Sequence, residues 1–182
     1  MAWTKKTYRL AEGHGWTAKP GHQILALDRG AVVLEFPESW FVEPRAGQID
    51  IRDAATTADS TCVLAVSCLV VPVEWSELPL ATLLIEAAEG DDRDRIATGP
   101  VHETARDGVT LAWTELRVVD PGEHRESRSR ICLARRGRHQ CLLTLDSWPE
   151  DEVRLSAIWD EVLASLKLGV RVDDPTEGPR PS

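Results

Sequence analysis

Residues 108–169 constrain the fold more than any other stretch, because they read as three successive β-strands followed by one amphipathic helix. Over 109–119 and again over 129–145, β-branched, aromatic and leucine positions alternate with polar ones, the period of strands with a buried face. Asp120-Pro121-Gly122 and Arg136-Gly137-Arg138 supply the turns. With Arg136 and Gly137 as a two-residue loop, Arg135 faces Arg138 and Cys132 lies opposite Cys141, whereas a loop one residue longer shifts that ladder. After Trp148, Pro149 presets φ and Glu150, Asp151 and Glu152 meet unpaired N–H groups, so a helix starts there. Leu155, Ile158, Trp159, Val162, Leu163 and Leu166 then draw one apolar stripe down a helix over 149–166, closed by Lys167 and Gly169. That stripe must lie on the sheet, with Trp159 among the most buried residues.

Upstream, short strands are predicted over 24–27, 31–36, 40–42 and 49–51, separated by Asp28-Arg29-Gly30 and Pro37-Glu38-Ser39. The polar stretch 52–61 reads as a surface loop, and the apolar, β-branched run 62–73 as a central strand buried on both faces. A helix over 79–89 follows, with Ser76 as N-cap, Leu80, Leu83, Leu84 and Ala87 as its apolar face and Gly90 as its stop. Residues 96–103 read as one further strand leading through Asp107-Gly108 into the main block. The predicted fold class is therefore α+β, an antiparallel sheet of about six or more strands with helices on both faces, an α/β/α sandwich. The expected organisation is an irregular arm over 1–23, a single domain over 24–168 and a disordered, proline- and charge-rich tail over 169–182.

Composition narrows the function classes. With 42% hydrophobic and 28% charged residues, 182 residues suffice for one domain with a sizeable core. A formal net charge of −9 without a basic patch argues against a nucleic-acid partner. The start lacks the apolar run of a signal peptide, and no stretch approaches the roughly 20 apolar residues of a spanning helix, so no membrane insertion and a cytoplasmic location are expected. Four cysteines in such a chain read as reduced, buried small hydrophobes, with a structural zinc site or a disulfide as alternatives.

Between Gly30 and Trp40 the sequence runs Gly30-Ala31-Val32-Val33-Leu34-Glu35-Phe36-Pro37-Glu38-Ser39-Trp40, and the late helix ends Ile158-Trp159-Asp160-Glu161-Val162-Leu163-Ala164-Ser165-Leu166. This pairing of an early strand and turn with a late strand-turn-helix resembles the PsbP-like superfamily, over roughly residues 28–168. The superfamily includes a photosystem II extrinsic protein, a Ran guanine-nucleotide release factor and bacterial proteins of unassigned role. What the resemblance implies is an antiparallel sheet sandwiched between helices, used for protein binding and not for catalysis. The chain shows neither a transit segment nor a matched Ran-contact motif, which sets aside those two members' roles.

Signatures of chemistry are sparse. The chain has no G-x-S-x-G elbow, phosphate loop, G-x-G-x-x-G turn or H-E-x-x-H zinc helix. His102, His124 and His139 could each serve as a base, and His14, Trp16 and His22 sit in a glycine-punctuated loop that could touch a ligand, though Trp16 reads first as a cover over a core edge. The favoured function is a binding or protein-interaction module without a cofactor, its partner another protein. The alternatives are a small hydrolase-type enzyme with a histidine and carboxylate site, and an accessory of a bacterial secretion or toxin-immunity system. The candidate partner-binding patch lies on one sheet face. Trp113, Glu115 and Arg117 share a face of one strand and Arg128 and Arg130 of the next, so a pairing of Glu115 with Arg130 sets Arg117 opposite Arg128. Like charges so placed persist best when an anion or a partner's carboxylate shares them, which is the reason for a partner-binding patch; the alternative is that Glu115 and the arginines form an exposed charge ladder over the sheet that contributes little.

Overall fold

The computed structural model describes residues 3–179. In chain order the elements are β1 (His22–Leu27), β2 (Val32–Pro37), β3 (Phe41–Pro44), β4 (Ile49–Arg52), β5 (Cys62–Val70), α1 (Leu80–Glu89), β6 (Arg95–Thr98), β7 (His102–Arg106), β8 (Val109–Val119), β9 (Glu126–Arg136), β10 (His139–Ser147), α2 (Glu152–Ser165) and β11 (Lys167–Leu168). An eight-stranded antiparallel sheet runs β3-β4-β5-β10-β9-β8-β6, with β7 also paired to β8, and β1, β2 and β11 form a separate three-stranded sheet.

Alternation along β8 and β9 decides which helix goes where. Ala112, Leu116, Val118, Ile131 and Leu133 point to one face, where Leu80, Leu84 and Ala88 of α1 bury against them. Val109, Leu111, Cys132 and Ala134 point to the other, into a larger core shared with α2, β2, β4, β5 and β10. Leu155, Trp159, Val162, Leu163 and Leu166 are all buried there, with Trp159 fully shielded from solvent, so the apolar stripe docks as its spacing requires. The sandwich with helices on both faces is the architecture predicted. No helix of the described residues is long and apolar enough to cross a membrane.

Several expectations are corrected in detail. The β9–β10 loop is Gly137-Arg138, because Gly137 takes the positive φ (55°) that such a hairpin places at its first central residue. Arg135 therefore pairs with Gln140, and Cys132 with Leu143; Cys141 faces Ala134 on β9 and Cys68 on β5. The predicted strand over 96–103 is two strands, broken at Gly99-Pro100 because proline has no N–H to give the ladder. β5 is buried on one face only and runs into solvent at Leu69 and Val70. Ser76 does not cap α1: its hydroxyl donates to the Val73 carbonyl within a 3₁₀ turn, Pro79 precedes the helix, and the buried position near its end is Ala88, not Ala87.

Through residue 179 the tail is tied down, in place of the disorder expected over 169–182. The N–H groups of Gly169, Val170 and Val172 donate to the carbonyls of Ala31, Gly30 and Arg29, and Val172 is buried. Backbone pairing and the burial of Val172 together anchor a segment that is otherwise charged. The N-terminal arm then crosses the tail: Trp16 donates from Nε1 to the Pro175 carbonyl at 2.8 Å and packs on Gly178, so Trp16 covers the tail and not a core edge. The expectations for residues 1–2 and 180–182 lie outside the described residues.

Candidate functional site

The Asp120 loop fixes the register of β8 against β9. Asp120 accepts from the N–H groups of Gly122 and Glu123, a tight side-chain turn, and its own N–H donates to the Arg125 carbonyl. Counting back, Glu115 pairs with Arg130 and Arg117 with Arg128, the register expected from sequence. One face of β8 thus carries, in order, Val109, Leu111, Trp113, Glu115 and Arg117, changing from apolar to charged at Trp113.

α2 runs antiparallel beside this face and presents Glu152, Ser156, Asp160 and Ala164, one per turn. At the charged end Glu115 accepts from Arg128 Nη1 (2.7 Å) and Arg130 Nε (2.8 Å). Arg130 Nη2 also donates to Ser156 Oγ, and Arg128 Nη2 lies 3.2 Å from Glu152. Arg117 turns away to a two-pronged pair with Glu126, at 2.7 and 2.8 Å. The facing arginines are therefore shared by three carboxylates of the same chain, and the geometric reason for an outside anion is met internally. Burial works to raise the Glu115 carboxyl, but hydrogen bonds from Arg130 and Arg128 outweigh it and hold its pKa below the usual carboxylate value.

At the apolar end, α2 and β8 diverge around a pocket of about 250 Å³ lined by Thr104, Arg106, Leu111, Trp113, Asp160 and Leu163, among others. Arg106 closes one end by donating from Nη2 to the Leu163 carbonyl at 2.6 Å. Trp113 forms the wall between pocket and ladder. His102 stacks on it with ring centroids 4.4 Å apart, Trp159 meets it edge-on at 5.9 Å, and the Arg130 guanidinium lies 5.6 Å above its ring. β7 borders the pocket and is exposed at all five residues; among the described residues it pairs with β8 alone, so its other edge has free backbone groups.

The structure brings Trp113, Glu115, Arg117, Arg128 and Arg130 onto one surface, beside α2. Thr104, Arg106, Asp160 and His102 were not singled out from sequence as members of a pocket. A signal for His102 was present: Asp107-Gly108, both at positive φ, make a two-residue hairpin, and counting back from it sets His102 opposite Trp113. His22 contacts Glu161 Oε2 at 2.9 Å, with Lys19 on the same carboxylate, and among the described residues no serine, threonine or cysteine side chain hydrogen-bonds a histidine. No cluster of three or more metal-ligating side chains occurs among the described residues either.

Comparison with known proteins places this geometry in a family. The Alr1449 family model matches residues 23–172. An uncharacterised protein of Nostoc sp. strain PCC 7120 is 36% identical over 180 residues, covering 98% of this chain and 93% of its own. Among solved structures, the cyanobacterial PsbP of Synechocystis sp. PCC 6803 superposes with a TM-score of 0.55 at 17% identity, covering 85% of this chain and 96% of its own. A Pseudomonas aeruginosa protein of unknown function, PA94, superposes with a TM-score of 0.51 at 15% identity, covering 88% and 99%. The two structures share the fold alone, and the chain, built on a PsbP-like α+β sandwich, belongs to the Alr1449 family.

Proposed function

We propose that this protein is an interaction module that receives an extended segment of a partner protein along the trough between β7 and α2. The observation that carries the reading is β7 itself: an exposed edge strand with one free backbone edge, bordering a pocket. An added strand would satisfy that edge, and alternate side chains would reach the trough floor. The pocket volume of about 250 Å³ falls below the roughly 300 to 1,000 Å³ of most small-molecule sites, so it suits one large apolar side chain of a peptide better than a cofactor. Past Trp113, the half-exposed Arg117–Glu126 pair offers polar groups of both signs to the same segment.

Because Arg106 and Val109 flank a two-residue turn, they form a hydrogen-bonded pair, which turns the N–H of Ala105 away from β8. Ala105→Pro therefore removes a docking donor without touching the β7–β8 ladder, and Ala164→Trp blocks the pocket mouth from an exposed position. Linear peptides selected on the wild-type protein from a displayed library should carry apolar residues at alternate positions and lose roughly tenfold or more affinity to each variant. Unchanged binding by both folded variants would remove this reading.

A further inference from the structure

All four thiols share one sheet face, and their register separates them sharply. Cys141 lies directly opposite Cys68 on β5, while Cys132 lies opposite Leu143, two residues along from the β9 partner of Cys141. The Val71 N–H donates to the Arg138 carbonyl at 2.8 Å, which makes Val71 and Arg138 a hydrogen-bonded pair at the end of the β5–β10 ladder. Antiparallel pairs alternate, so Val70 with His139 is not hydrogen-bonded, Leu69 with Gln140 is, and Cys68 with Cys141 is not. Non-hydrogen-bonded partners sit with Cα atoms roughly 4.5 Å apart and side chains close, inside the roughly 4.4 to 6.8 Å that a disulfide spans. The diagonal from Cys141 to Cys132, at roughly 7 to 8 Å, lies outside it. Access is equally uneven: Cys132 and Cys141 are buried, Cys68 is half-buried, and the two residues after it, Leu69 and Val70, are 49% and 56% exposed.

We propose that Cys68 and Cys141 form an oxidisable thiol pair, a site of reversible disulfide formation with a low-molecular-weight disulfide such as oxidised glutathione. The Cys68 thiolate attacks one sulfur of the small disulfide and expels one thiol. The Cys141 thiolate then attacks Cys68 Sγ and expels the second. Two protein thiols are oxidised to one S–S bond, and the small disulfide is reduced to two thiols. Burial first, and then the Asp28 charge, push the Cys68 thiol up, and burial pushes Cys141 well up, so the exchange is slow near neutrality and quickens as pH rises. This site does not depend on the peptide-docking reading and lies on other strands.

The native protein, incubated with oxidised glutathione and then alkylated, should yield one intramolecular Cys68–Cys141 linked peptide by mass spectrometry. Cys62 and Cys132 should remain thiols. The rate should rise roughly tenfold per pH unit between about pH 7 and 9, and the oxidised form should melt roughly 5 °C higher and revert with dithiothreitol. C132S should form the link unchanged and C68S should not form it. A link through Cys132, an intermolecular dimer, a persistent glutathione adduct on Cys68, or a full count of native thiols after incubation would each overturn the assignment.

Discussion

β8 and β9 have two faces made of alternate residues of the same strands, and the faces differ in how far the apolar pattern runs. Against α1, Ala112, Leu116, Val118, Ile131 and Leu133 bury together, and the polar positions between and beyond them towards Val118, Thr114, Ser127 and Ser129, are small, uncharged and buried. Against α2, the apolar residues stop at Trp113, and Glu115, Arg117, Arg128 and Arg130 continue the same rows. The α1 face is a packing surface in the plain sense. The α2 face is a packing surface that becomes a charge ladder, with a pocket at its apolar end and carboxylates of its own at the other. A helix docked by an apolar stripe can thus also serve as one wall of a trough.

The sharpest way to break this comparison is to remove the anchor on each side. Trp159 is fully buried in the larger core, so Trp159→Ala should cost about 3 to 5 kcal/mol, read as a lowered urea midpoint. Trp159→Phe should cost less, since the indole Nε1 has no hydrogen-bond partner to lose. Leu84 is the corresponding anchor of α1, and Leu84→Ala should cost about 2 to 4 kcal/mol in the smaller cluster. Equal losses for Trp159→Ala and Leu84→Ala would show that the faces hold the fold equally.

How much of this was legible follows the same division. The i, i+3, i+4 spacing of α2 and the period-2 alternation of β8 are consequences of burial, so they located the helices and faces. The Glu115–Arg130 register was legible because Asp120-Pro121-Gly122 is a strong turn signal; the β9–β10 loop lies one residue later than Arg136-Gly137, which moves every cross-strand partner by two, because the positive φ that glycine takes belongs at the first loop position. The part of the ladder's neutralisation that comes from Glu115 was open to that same register, but the part that comes from α2 was not legible: Glu152 and the Ser156 hydroxyl arrive by a tertiary approach that no local pattern encodes. The ordered tail was missed for a related reason, since Val170 and Val172 are two apolar residues among charges and glycine, and their pairing depends on where Arg29 and Gly30 lie.

A third test concerns how α2 is held at its N-terminal end. Arg154 donates to Asp53 Oδ2 at 3.0 Å, while Asp53 also accepts from the backbone and hydroxyl of Thr61 and from Ser60. Burial opposes ionisation of Asp53, but these bonds prevail and bring its pKa from 3.8 down to about 2. A carboxylate lowered on folding contributes stability above its unfolded pKa and loses it as pH falls through the folded one. The contribution is therefore complete above about pH 4 and fades towards about pH 2. Asp53→Asn should cost about 1 to 3 kcal/mol at neutral pH and flatten the acid limb of the stability profile. An unchanged acid limb would show that α2 is held by its apolar stripe alone.

The smallest expected effect lies in the ladder itself, where the buried half and the exposed half separate. Glu115 is the carboxylate that Arg128 and Arg130 share, and its side chain is 20% exposed. Glu115→Gln leaves those two guanidinium groups, neighbours on one face of β9, without the carboxylate they share, so it should cost about 1 to 3 kcal/mol. Arg117 and Glu126 form a pair just as short, with side chains 43% and 31% exposed. The Glu126 carboxylate raises the Arg117 guanidinium and is itself lowered by it, but both groups stay in contact with water, which competes for every bond they make. Arg117→Gln should therefore leave the denaturation midpoint unchanged while weakening any peptide that reaches past Trp113. A midpoint that fell as far for Arg117→Gln as for Glu115→Gln would mean the whole ladder is structural and the trough ends at Trp113.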